Sequence, residues 1–167
     1  MGGMMVNEPQ EMSPIMKLAG LYRKLAVGLS YLAPLADLAL RIYVGNVFWK
    51  SGLTKFQSWD TTLQLFTYEY HVPLLSPEVA AYLGTFTELF FPVFLVLGLA
   101  GRFAAVWLFI FNIIAVISYP ELNAAGLEQH KVWGLMLLTL SLRGPGRLSF
   151  DAWLEKRFFK ETACTPT

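Results

Sequence analysis

Three long apolar stretches and a shorter fourth occupy most of this chain, and two of them contain an ionisable residue: Arg41 in the first and Glu88 in the second. An apolar run of roughly 20 residues is the length that crosses a bilayer as a helix. A charge inside such a run is costly, so it faces a protein interior or a wet cavity and becomes a candidate functional residue. The chain therefore reads as an all-α integral membrane protein, a bundle of four transmembrane helices with its chemistry between the first two. Only 15% of the 167 residues are charged and 55% are hydrophobic. Soluble domains carry about 25% charged residues.

The apolar periodicity predicts helix one over about Leu32 to Phe56 and helix two over about Val79 to Ala100. Helix three is expected over about Phe103 to Tyr119 and helix four over about His130 to Leu142. The last is short for a crossing and is expected to extend back toward Leu127 or to begin within the interface. Ser76-Pro77-Glu78 supplies a start for helix two: a hydroxyl cap, a proline in the first turn and an acid at the positive end of the dipole. Residues 1–30 read as a weakly ordered cytoplasmic segment without the pattern of a cleaved signal peptide. Residues 31–147 read as the membrane domain, and 148–167 as a basic interfacial helix with a polar tail.

With four crossings, Lys17, Arg23, Lys24, Arg102, Arg143, Arg147, Lys156, Arg157 and Lys160 collect on one side, and Lys50, Lys55 and Lys131 on the other. The positive-inside rule places both termini in the cytoplasm. The longest connection, between helices one and two, then faces outward. In it Trp59, Leu63, Phe66 and Tyr70 recur at helical spacing opposite Asp60, Gln64, Thr67 and His71. That pattern fits an amphipathic helix in the outer headgroup layer or a lid packed over the bundle. After Ser149, Phe150, Trp153, Leu154 and Phe158 share a face opposite Lys156 and Lys160, as in a helix attracted to anionic lipid.

Asp37, Arg41, Gly45, Phe48, Gly52 and Lys55 form one stripe of helix one at steps of three or four. Its small residues let a neighbouring helix approach closely. Arg41 and Glu88 are expected to pair across the two helices. Alternatively Asp37 and Arg41 pair locally, leaving Glu88 to Asn112, to water or to a proton. A carboxyl buried in an apolar bundle suits proton transfer to a redox cofactor such as a quinone. The same groups would equally lock helix packing. Asn112 reads as an interhelical hydrogen-bonding residue. The two histidines, His71 and His130, are weak candidates for haem or copper ligation. Cys164 is the only cysteine, so neither an intrachain dithiol couple nor a cysteine-based metal site is expected. A net charge of +1 provides no basic face for nucleic acid.

The stretch LALRIYVGNVFWKSGLTKF, with Arg41, Gly45, Gly52 and Lys55, resembles the first helix of DoxX-type membrane proteins. TFTELFFPVFLVLGLAGRFAA resembles the second, with Glu88 and the Gly98…Arg102 turn. GPGRLSFDAWL, with Gly144, Gly146 and Asp151, is similar to the family's closing motif. The resemblance covers about Leu35 to Leu154, and YEYHVPLLSPE resembles one subgroup. It implies a four-helix bundle in a bacterial inner membrane. It also implies quinone-linked oxidoreduction, as in a thiosulfate:quinone oxidoreductase subunit, or membership of a complex that answers oxidative stress.

The chain contains no flavin or nicotinamide fingerprint, so electrons are expected to come from a protein partner or a lipid-soluble cofactor. On this reading Glu88 and Arg41 are the catalytic pair, with Asp37, Gly45, Gly52, Lys55, Asn112 and His130 around the cofactor. The alternative is a non-catalytic anchor or assembly or stress-response partner for a soluble protein, whose charged stripe is structural; a protein partner or a homo-oligomer is expected on either reading. A transporter is weaker, because no inverted repeat is visible.

Overall fold

The computed structural model describes residues 14–158. They form six helices and no strand: α1 (Pro14–Gln57), α2 (Trp59–Tyr68), α3 (Pro77–Leu97), α4 (Gly101–Ser118), α5 (Ala124–Arg143) and α6 (Phe150–Phe158). Three helical segments are long and apolar enough to cross a membrane: Leu18–Gln57, Pro77–Leu97 and Gly101–Ser118. The expectations for residues 1–13, Lys160 and Cys164 lie outside the described residues.

The chain divides between Ala33 and Pro34 into two compact units. The described part of the first, residues 14–33, is helical throughout. Helix one thus starts at Pro14 and not near Leu32, and residues 14–30, part of the segment expected to be weakly ordered, are helical. Leu18, Tyr22, Leu25, Leu29 and Leu32, spaced by three and four, are all exposed.

In the second unit the core is built from four helices: Val44 and Phe48 of α1, Leu95 of α3, Ala104, Ala105 and Leu108 of α4, and Leu137 and Leu140 of α5. Phe48 packs edge-on against Phe111 and Trp133, with ring centroids 6.2 and 6.3 Å away. Large apolar side chains cover the outer faces as well, including Phe86, Phe90, Val106, Ile113 and Leu135. A helix that is apolar all round needs hydrocarbon, not water, outside.

Two glycines set the contact of α1 with α3. A Cβ on Gly45 would stand 2.7 Å from the Val96 side chain, and one on Gly52 would stand 2.9 Å from both Glu88 Cβ and Leu89 Cγ. The expected role of these small residues is therefore helix approach. The pairing of Gly45 with Val96 and Gly52 with Glu88 also fixes an antiparallel register. In that register α1 ends before it reaches the first turns of α3, and α2 takes its place there. Thr62 and Phe66 of α2 are buried on that side, Phe66 packs with Ala80 and Ala81, and Trp59, Leu63 and Tyr70 are half-buried around them. Asp60, Gln64, Thr67 and His71 are exposed. The amphipathic segment is thus a lid packed on α3. The Thr62 hydroxyl donates to the Lys55 carbonyl (3.0 Å) and closes the end of α1.

The other end of α3 is held by a polar clasp. Gly98, at φ +68°, caps the helix in the left-handed conformation that favours glycine. Arg41 is wholly buried beside it. Its guanidinium donates to the Val96 carbonyl (3.2 Å), one of the last carbonyls left without a helical partner, and to the Leu148 carbonyl. The Asp151 carboxylate accepts from the amides of Ala100 (2.8 Å) and Gly101 (2.9 Å) at the start of α4. An acid at that positive end is favourable. Asp37 faces Arg143 at 3.6 Å. A Cβ on Gly146 (φ +75°) would stand 3.0 Å from the Asp37 carboxylate, so the closing motif is needed at that junction.

Candidate functional site

Glu88 lies on α3 opposite Gly52, in the space that the missing side chain leaves. Its carboxylate meets Lys55 Nζ at 2.7 and 3.0 Å. Ser51, one turn before Lys55 on α1, accepts from the ammonium (2.8 Å) and donates to Glu88 Oε1 (3.1 Å). The three groups form a closed set of opposite charges, mostly buried, with side-chain exposures of 16% for Lys55 and 8% for Glu88. A buried carboxylate is tolerated when it is paired and its remaining lone pairs are satisfied, as here.

This corrects the expected Arg41–Glu88 pair. Arg41 reaches the Val96 carbonyl, eight residues along α3 from Glu88 and hence about 12 Å away along the axis. It also corrects both alternatives: the ion-pair partner of Asp37 is Arg143, and Glu88 is taken by Lys55 and Ser51. Asn112 is occupied elsewhere. Its amide donates to the His130 carbonyl (3.0 Å), so its oxygen faces the imidazole Nδ1 at 2.7 Å. An oxygen acceptor there requires a proton on Nδ1, which in the neutral ring puts the lone pair on Nε2. Gly134 makes the space, since a Cβ there would stand 3.2 Å from the Asn112 amide nitrogen.

The triad and His130 border one cavity of about 610 Å³. Its walls are mostly apolar: Phe66 and Tyr70 beneath the lid, Leu83 on α3, and Trp107, Ile110, Phe111 and Ile114 on α4. Few convergent polar groups in a mainly apolar cavity are the usual composition of a small-molecule site. Burial, then the nearby Glu88 charge, pushes the Tyr70 phenol above its ordinary value. His71 is exposed and borders a separate cavity of about 350 Å³. Its amide donates to the Ser118 carbonyl (2.7 Å). The two histidines therefore do not converge, and no group of three or more His, Cys, Asp or Glu side chains gathers among the described residues.

Of the residues expected around a cofactor, the structure brings Lys55, Glu88 and His130 to this cavity, with Gly52 and Asn112 behind them. It leaves Arg41, Asp37 and Gly45 outside. Sequence reasoning missed Ser51, Tyr70, Trp107 and Phe111. Ser51 carried a usable signal, lying four residues before Lys55 on the same helical face.

The sequence profile of the DoxX family matches residues 36–120, just over half of the chain. The chain is 32% identical over 125 residues to the "Putative oxidoreductase CatD" of Bacillus subtilis (strain 168), covering 73% of this chain and 89% of that protein. It is 28% identical over 130 residues to an uncharacterised protein of Haemophilus influenzae, covering 71% of this chain and 83% of that protein. No solved structure matches it. The chain belongs to the DoxX family of membrane proteins.

Proposed function

We propose that this DoxX protein is the inner-membrane subunit of a quinone-linked oxidoreductase, or of a redox complex that answers oxidative stress, and that its quinone site is the cavity bordered by Lys55, Glu88 and His130. The observation that carries this reading is a buried ammonium–carboxylate pair at the edge of a largely apolar cavity of about 610 Å³. A relative named as an oxidoreductase supports the redox part. α5 then makes the fourth crossing, and the excess of Lys and Arg sets both termini in the cytoplasm.

The residues present fit such a group. Phe66, Trp107 and Phe111 suit an aromatic ring, Ile114 suits an apolar tail, and Lys55 is a donor suited to a ring oxygen. A bound quinone supplies a two-electron, two-proton couple. Lys55 would hold a ring oxygen and balance negative charge there, and the Glu88 carboxylate would relay protons between water and that oxygen. Because the pair is neutral overall, it can sit in hydrocarbon at modest cost between turnovers. His130, held by Asn112 with the proton on Nδ1, offers Nε2 as a second acceptor on the cavity wall. Arg41 has no part in this chemistry and holds the clasp. Electrons enter from a partner protein.

The test is mass spectrometry of an organic extract of the purified protein beside Glu88→Gln and the double variant Lys55→Met/Glu88→Gln. Stoichiometric quinone in the wild type that falls in both variants is expected. Bulk lipid alone in every sample would overturn the reading and favour the non-catalytic anchor.

A further inference from the structure

The cavity is not sealed from the side. Leu83 on α3 and Trp107, Ile110, Ile114 and Ile117 on α4 line it, and all five are exposed. The cavity they line is open to the surface, not enclosed. Here that surface is apolar and belongs to two candidate membrane spans. Along α4 the lining runs from Trp107 to Ser118, eleven residue steps, or roughly 17 Å at the helical rise. That is about half of a hydrocarbon core some 30 Å thick.

The loop between α2 and α3 overhangs this groove. Val72, Pro73, Leu74 and Leu75 border the cavity, and the loop backbone is tied to the end of α4 by the His71 amide and Ser118 carbonyl. Leu74 is held at φ +66° with its side chain fully exposed. That conformation is costly for a residue with a branched side chain. Exposure of a leucine at such cost makes sense where its surroundings are acyl chains. At the inner end of the groove stand Lys55 and Glu88, the only charged side chains that border the cavity among the described residues.

We propose that the gap between α3 and α4 beneath the 70–75 loop is a lateral portal to the bilayer. Its ligand is a lipid-soluble ring with an apolar tail: the ring advances to the Lys55–Glu88 pair while the tail stays in the groove formed by Leu83, Ile110 and Ile114. This rests on the quinone reading and adds the route and the tail. It also assigns Ile110, Ile114 and Leu83 as specificity residues for the tail.

The experiment measures equilibrium binding to the full-length protein in phosphatidylethanolamine–phosphatidylglycerol vesicles, with affinities referred to the membrane-phase concentration. The probes are a radiolabelled 1,4-naphthoquinone without a tail and the same ring carrying a short isoprenoid tail. Ile114→Trp and Leu83→Trp fill the groove with side chains at home in lipid, and thermal midpoints check their folding. The wild type should hold the tailed ring at least about tenfold more tightly, a difference of about 1.4 kcal/mol. Either variant should remove that advantage and leave the tail-less ring within about twofold of wild type. If the tailless ring binds but the tail adds nothing, or both variants keep the advantage, the portal is wrong and the cavity reading stands. If neither ring binds the wild type, both fail.

Discussion

The Lys55–Glu88 pair exists because position 52 has no side chain. With Glu88 Cβ 2.9 Å from where a Cβ would be, Gly52→Val must push α1 and α3 apart. Overpacking of this kind costs about 1–3 kcal/mol, so the thermal midpoint in detergent should fall by several degrees. Glu88→Gln alone leaves a buried ammonium unpaired, a loss of about 3–5 kcal/mol. Lys55→Met/Glu88→Gln removes both charges and should recover most of it. Comparison of the two unfolding curves checks this, and equal losses would mean that the pair is not buried as described. Glu88 was legible in the sequence as a charge in an apolar run, but its partner was not. Arg41 and Lys55 lie on the same stripe of α1, and only the register set by Gly45 on Val96 and Gly52 on Glu88 decides which of them reaches α3 at residue 88.

Among the elements, α2 is lightly held, since its buried side is little more than Thr62 and Phe66. Phe66→Ala should therefore release the lid and leave the bundle folded, seen as faster backbone amide exchange over residues 59–70 with α4 and α5 unchanged. Tyr70 adds a pH dependence to the same contact. Its phenol is raised from the ordinary 10.0 in the folded state, so above pH 10.0 the unfolded lid ionises first and the folded lid loses stability. Protection over the lid, measured as exchange relative to the intrinsic base-catalysed rate, should fall in that range in the wild type but not in Tyr70→Phe.

The elements also differ in how plainly the sequence announced them. The stripe at 59–71 and the capped start at Ser76 came through because each rests on local spacing and chemistry. α5 begins at Ala124, six residues before the expected His130. Gly126, Glu128, Gln129 and Lys131 dilute its apolar period, while the Asn123 side chain, accepting from the Gly126 amide at 2.7 Å, supplies the start signal. The helix from Pro14 was hidden by Gly20, Gly28 and Pro34, although Leu18, Leu25, Leu29 and Leu32 kept its period.

For the molecule as a whole, the proposed fourth crossing by α5 puts both ends on the more basic side. Cys164, the only cysteine in the chain, gives a direct check: a membrane-impermeant maleimide should label it in inverted vesicles and not in intact cells. Labelling in intact cells would reverse the orientation. The whole-chain character was the most legible part, because scarcity of charge and long apolar runs are properties of composition. The cavity was the least legible, since α1, α2, α3, α4 and α5 all contribute to its wall and no local pattern encodes their meeting.

The most direct test of the central claim is to photocrosslink an azido-quinone to the protein in membranes and map the labelled peptides. The account predicts label within 83–88 and 107–118, displaced by excess quinone and lost in Lys55→Met/Glu88→Gln. Label confined to the Arg41 clasp, or spread over the outer faces without displacement, would contradict it.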